Sequence, residues 1–346
     1  MDMDDHYSYV GAVTFWLYIL AALVFSGIAI NTILQIKPAT PKKHRDAKSE
    51  GRRVRVFTVL TTVSFATLSV NMLHVLARSL SAWMKYSHVY RLLYPDGLSL
   101  YRPLELAGAL WTWSATSTLF LDFANAIVKD EPTMVWTFAE LILAMRVCLH
   151  ISIEGRRRQI PNLYAFFALL QILPVSYVQG LFYLALLRSN SGVRDKRRSD
   201  EKTNLHGDIE AVVLILYTLV ILLAPKYSGT SFLMPLVMLA RLLLLVPRFI
   251  PMQDNSLGST SPINCQGIRL SLWTTAVILS VLVPMLLGLH VQTAYAGGSF
   301  LPAVGRALWS HPAVSSLGCD ALLCGLNMLI WERSSGLKYD LHARPR

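Results

Sequence analysis

The sequence predicts an all-α fold, a polytopic bundle of about nine (eight to nine) transmembrane helices. Three observations predict it. Hydrophobic residues make up 53% of the 346 residues and charged residues only 15%, where a soluble domain carries about 25% charged residues. The mean hydropathy is +0.44. Apolar runs near the ~20 residues that a crossing helix needs recur along the whole chain. The period-two alternation of strands is missing, which argues against a membrane barrel.

Taken in order, the first run is 10–36, uncharged until Lys37. The preceding "MDMDDHYSYV" is acidic and lacks the positive region of a signal peptide, so this helix is expected to be retained. The second run, 56–80, follows a basic stretch at 37–55 that reads as a solvated cytoplasmic loop. Pro103 starts the third, 104–128, as proline suits a first helical turn. The fourth and fifth, 133–153 and 162–187, flank "EGRRRQIP". A second basic loop occupies 188–207. The sixth and seventh, 209–225 and 231–246, are short and separated by "PKYSGT"; as a re-entrant hairpin they would leave eight crossings. The eighth is 270–291 and the ninth 312–331, with a basic tail at 332–346. The chain reads as one integral membrane domain, 1–346.

The net charge of +11 is concentrated in the two basic loops and the tail. In so apolar a chain these clusters set topology and touch anionic headgroups rather than nucleic acid. Most of the 32 Lys and Arg fall on one side if the N-terminus is lumenal and the C-terminus cytoplasmic. "EGRRR" breaks the pattern, because a nine-span count puts it on the outer side. Of the four cysteines, Cys148, Cys319 and Cys324 lie in apolar runs and Cys265 in a loop, with no CxxC or Cys/His ligand spacing. Neither a metal site nor a cofactor motif is expected.

Ionisable side chains inside apolar spans are expensive and point to function. Asp320 sits in the last span, and Ser316, Asp320, Cys324 and Asn327 share roughly one helix face. That face should turn to the bundle interior. The third span carries Glu105 near its outer end, followed by Trp111 and Trp113, whose ring faces attract cations. The fourth carries Glu140, then Arg146 and His150 four apart. Arg146 needs an acidic partner, with Glu140, Glu105 and Asp320 as candidates. The plainer reading of each group is interhelical hydrogen bonding or interfacial anchoring.

A dry, aromatic-walled pocket holding a carboxylic acid suits carbocation chemistry. The acid protonates an epoxide or alkene, and ring faces stabilise the cation that results. The length, "RPLELAGALWTWSATSTLFLDFANAI" and "PAVSSLGCDALLCGLNMLIWE" together resemble the fungal membrane-bound meroterpenoid terpene cyclases of the ascochlorin, ascofuranone and macrophorin type. The resemblance implies an acid-initiated cyclase of secondary metabolism in the endoplasmic reticulum membrane. Its substrate would be the farnesyl chain of a lipophilic polyketide or aromatic intermediate. The resemblance also implies that Glu105 and Asp320 are the acids. Trp111 and Trp113 would support the cation, with His150, Arg146 and Asn327 around the pocket. The chain is longer than the seven-span cyclases of indole and pyripyropene-type pathways, and it lacks the DDxxD motif of diphosphate-ionising enzymes. The competing expectation is a proton-coupled transporter of a small lipophilic or organic solute, with Asp320, Glu105, Glu140 and Arg146 as its relay.

Overall fold

A computed structural model describes residues 9–36, 44–94, 103–117, 119–189, parts of 213–249, and 300–342. Among the described residues the regular elements are all helical. The second basic loop beyond Ser189 and the expected eighth span lie outside them.

Among the described residues four helices are long and apolar enough to cross a membrane, over Gly11–Gln35, Glu50–Tyr86, Glu131–Arg157 and Pro312–Ser334. The first belongs to α1 (Tyr9–Gln35), whose Leu17, Leu20, Leu23 and Val24 are exposed while Ala12 and Ala29 are fully buried. Such an uncharged, outward-facing apolar surface is suited to lipid. The second is the middle and end of α2 (His44–Tyr86), 43 residues long. At 1.5 Å per residue it is about 65 Å long, twice a hydrocarbon core of about 30 Å. Its basic start therefore projects beyond the apolar zone as helix, where the sequence suggests a loop. No proline interrupts the chain between Pro41 and Pro95, and Lys and Arg favour helix.

Two of the expected spans are each divided into two shorter helices. The third divides into α4 (Pro103–Thr116) and α5 (Leu119–Ile127), after a short α3 (His88–Leu93). The "SATST" run supplies the break. The hydroxyls of Thr112, Ser114 and Thr116 bond back to carbonyls of their own helix, and Ser117 Oγ accepts from Leu119 N at 3.1 Å. Side-chain bonding of this kind competes with the helix ladder.

The fifth expected span divides into α7 (Leu163–Ile172) and α8 (Val175–Arg188), which fold back on one another. Asn162, before α7, donates to Thr32 Oγ1 at 3.1 Å, and Arg188, ending α8, donates to Ile33 O at 3.1 Å. Arg158 also reaches Leu186 O at 3.0 Å. Both ends of the pair thus meet the same end of the bundle, and the bend at Leu173–Pro174 lies inside it. Proline has no N–H for the ladder, and the residue before it is pushed out of helical geometry.

α6 (Glu131–Arg157) starts on a capping box in which Asp130 accepts from Thr133 N. It runs beside α11 (Pro312–His342), and Gly318 lets Leu308 and Trp136 pack directly against the α11 backbone. α9 (Leu233–Phe249) lies on α6, where Cys148 Sγ donates to Leu244 O. The short α10 (Phe300–Ala307) receives Trp136 Nε1 on Val304 O. The main core gathers Phe166, Phe167, Phe182, Ile151, Val178 and Cys324.

Candidate functional site

The α7–α8 bend leaves two backbone donors at the start of α8 without helical partners, as every helix start does. Asp320 of α11 supplies acceptors to both: its Oδ2 accepts from Val175 N at 2.7 Å and its Oδ1 from Ser176 N at 2.9 Å. Seven residues on, Asn327 Nδ2 donates to Ser176 O at 3.1 Å. Asp320 is 4% exposed and Asn327 fully buried, as is Cys324 between them. The polar face of the last helix therefore clamps the hairpin tip.

A second carboxyl joins this clamp from α6. Glu140, also 4% exposed, lies within hydrogen-bonding reach of Asp320. Its Oε2 has no hydrogen-bond partner among the described residues. Ser176 Oγ, Gln179 Oε1, Asn327 Oδ1 and both amide atoms of Gln171 are likewise buried without partners among the described residues. An unsatisfied buried polar group costs roughly 1–3 kcal/mol. Their concentration around one bend marks a place built for polar contacts rather than for packing alone.

Along the next turns of α8 and α11 the surroundings become aromatic. Tyr183 and Trp331 stack with centroids 4.4 Å apart and Phe57 edges onto both. His150 meets Phe182 and Tyr183 edge to face, each at 5.7 Å. Gln179 Nε2 donates to Tyr183 Oη at 3.1 Å, linking this cluster to the polar tip.

The other expected site residues lie elsewhere. Arg146 pairs with Glu332 at 2.7 Å, not with Glu140, Glu105 or Asp320. Glu105 sits in the first turn of α4, where Tyr94 Oη donates to its carbonyl at 3.4 Å. Burial, then the nearby Glu105 carboxylate, raises the Tyr94 phenol above its ordinary value. α4 packs on α1, and Glu105 and Asp320 belong to separate groupings. Trp111 is 39% exposed and Trp113 buried at 3%, so the two face opposite sides of α4. Trp113 stands edge to face with Phe15 at 5.5 Å and donates to Ser79 Oγ at 3.4 Å. The cavity beside it, lined by Gly11, Ser117 and Phe120 among others, measures about 30 Å³. That holds a water molecule and is far below the ~300 Å³ of a small-molecule pocket.

No protein-family model, curated protein or solved structure matches this chain. Its own residues therefore carry the functional reading.

Proposed function

We propose that this chain is a membrane-embedded cyclase that protonates the epoxide or terminal alkene of a farnesyl chain. The chain would be borne by a lipophilic polyketide or aromatic intermediate of secondary metabolism. One observation carries the reading: two carboxyls, Glu140 and Asp320, in contact within an apolar bundle, with an aromatic cluster further along the same helices. A proton held away from water is available to a weak base such as an alkene, and ring faces support the cation that forms. A prenylated substrate partitions into lipid and reaches the protein along the exposed apolar surfaces of α1 and α2.

The folding back of α7–α8, with 104–128 taken as not crossing, fits an orientation with the N-terminus lumenal and the C-terminus cytoplasmic, and the endoplasmic reticulum is the membrane this reading assigns. Arg156, Arg157, Arg158 and Arg188 then share a side with the basic start of α2, which is where positive charge collects. Under this reading α1, α2, α6, α9 and α11 cross. The apolar runs at 209–225 and 270–291 bring the number to about seven crossings, each near the length a bilayer requires.

Microsomes from a heterologous fungal or yeast host test the activity. They are supplied with farnesylated phenols or cyclohexenones, with and without a terminal epoxide. The expected result is an isomer of unchanged mass, or a hydrated product, that is lost in Glu140→Gln and Asp320→Asn and retained in Glu105→Gln. No product from any of these substrates overturns the reading for this substrate class. The interior half-helix α8, with its N-terminus aimed at a carboxylate, favours a second reading as a proton-coupled carrier. Solute uptake that needs a pH gradient would decide for that reading.

A further inference from the structure

We infer that Glu140 holds the proton shared by the two interior carboxyls, and that Asp320 is its ionised, positioning partner. On the cyclase reading, from which this step follows, Glu140 is then the group that delivers the proton.

Asp320 is surrounded by donors. Both of its oxygens accept backbone N–H bonds, at 2.7 and 2.9 Å. A proton on either oxygen would have to share that oxygen with an N–H pointing at it, while an anion satisfies both. Those N–H groups open α8, a helix of 14 residues, whose N-terminal dipole end favours negative charge. Backbone donors on a carboxylate are among the strongest stabilisers of its charged form.

Glu140 has the opposite surroundings. It is 4% exposed, and among the described residues no group donates to its Oε2. The charged groups facing it are Asp320 from α11 and Arg241 from α9. Arg241 is already engaged, donating through Nη1 to Gln171 O at 2.7 Å. Tyr217 and Cys324 are the uncharged titratable neighbours, and the Tyr217 hydroxyl donates to Leu141 O at 3.0 Å. Two carboxyls in contact cannot both ionise in a dry interior, so one proton stays with the pair. It belongs on the member that lacks donors and can itself donate to Asp320.

The chemistry balances without a co-reactant. The O–H bond of Glu140 breaks, and the π pair of the terminal alkene forms a C–H bond, or the epoxide oxygen forms an O–H bond as its C–O bond opens; the next π pairs of the chain then form ring C–C bonds to the carbon left cationic. The electron pair left behind makes Glu140 a carboxylate. When the last cation loses a proton to give the final alkene, that carboxylate takes it up. Nothing is oxidised or reduced.

Infrared spectroscopy of the full chain in lipid nanodiscs at neutral pH tests the assignment without substrate. The expected result is a carbonyl band of a neutral carboxylic acid in wild type. It disappears in Glu140→Gln and persists, shifted, in Asp320→Asn. A band that survives Glu140→Gln and vanishes in Asp320→Asn overturns the assignment, as does a wild-type spectrum with no such band. Glu140→Asp serves if Glu140→Gln does not survive purification: it moves the band when Glu140 carries the proton and leaves it unmoved otherwise. If the band follows Glu140 while microsomes form no cyclised product, the proton assignment stands and the cyclase reading falls.

Discussion

Asn162 and Arg188 stand at opposite ends of the α7–α8 pair, yet they bond to consecutive residues of α1, Thr32 and Ile33. A straight helix of that length would carry them about 39 Å apart. The pair therefore enters the bundle and returns. Cysteine placed at Arg157 should react with a membrane-impermeant maleimide from the same side of sealed vesicles as cysteine at Arg52. Cysteine at Tyr86 should react from the other side. Cysteine at Ser189 should react from the same side as cysteine at Arg157, and labelling of these two positions from opposite faces would restore a crossing at 162–187.

The hairpin tip depends on Asp320. Replacing it with alanine leaves Val175 N and Ser176 N bare in an apolar interior. The loss should be about 1–3 kcal/mol, read as a lower midpoint of thermal unfolding in detergent. Asparagine keeps one acceptor oxygen and should recover part of the loss, as it does at helix N-caps. Equal stability for Asp320→Ala and wild type would show that the cap carries no weight.

Close approach of α2 and α8 depends on Gly180. A Cβ there would press on Thr61 Oγ1 and lie 3.1 Å from Thr61 Cβ. Gly180→Ala should therefore destabilise by about 1–3 kcal/mol, the usual cost of overpacking. Adding Thr61→Ala should recover part of it. Among the described residues no atom lies within 4 Å of where a Cβ on Gly325 would sit, so Gly325→Ala should be neutral or stabilising by up to about 1 kcal/mol. The same thermal melts compare all four proteins, and a Gly180→Ala variant as stable as Gly325→Ala would refute the packing argument.

The apolar runs made the helices legible, because 20 uncharged residues leave few alternatives. The buried face of the last helix was legible for the same reason: Ser316, Asp320, Cys324 and Asn327 fall on one side and all are buried. The folding back of 162–187 was not legible. A proline within an apolar run is equally consistent with a kinked crossing, and only partners distant in sequence distinguish the two. Its one trace was "EGRRR", which a nine-span count puts on the outer side, against the rest of the positive charge. Pairing was hidden too. Arg146 lies four turns beyond the start of α6 and finds Glu332, which the sequence assigns to the tail. Glu140 was visible as a buried acid, but its contact with Asp320 depends on how α6 and α11 lie side by side.

His311 makes the start of α11 sensitive to pH. Its Nδ1 accepts from Ala313 N at 3.2 Å, which requires that nitrogen to be unprotonated. Burial first, then the charges of Arg78 and Lys129, lower this histidine below its ordinary value. The folded state thus binds the proton more weakly than the unfolded chain. Its contribution to stability is complete above the unfolded value of about 6.5. It is lost as pH falls from there through the lower folded value, where protonation also removes the cap. His311→Asn keeps an acceptor without a titrating group, so its unfolding midpoint should fall less than that of wild type as pH drops below about 6.5. His311→Ala should begin about 1 kcal/mol less stable, the usual loss of an N-terminal cap, and show the same flattened dependence. Unfolding midpoints of the three proteins over this range check the sign. A wild type that grows more stable on acidification relative to His311→Asn would show that the histidine is favoured in its charged form instead.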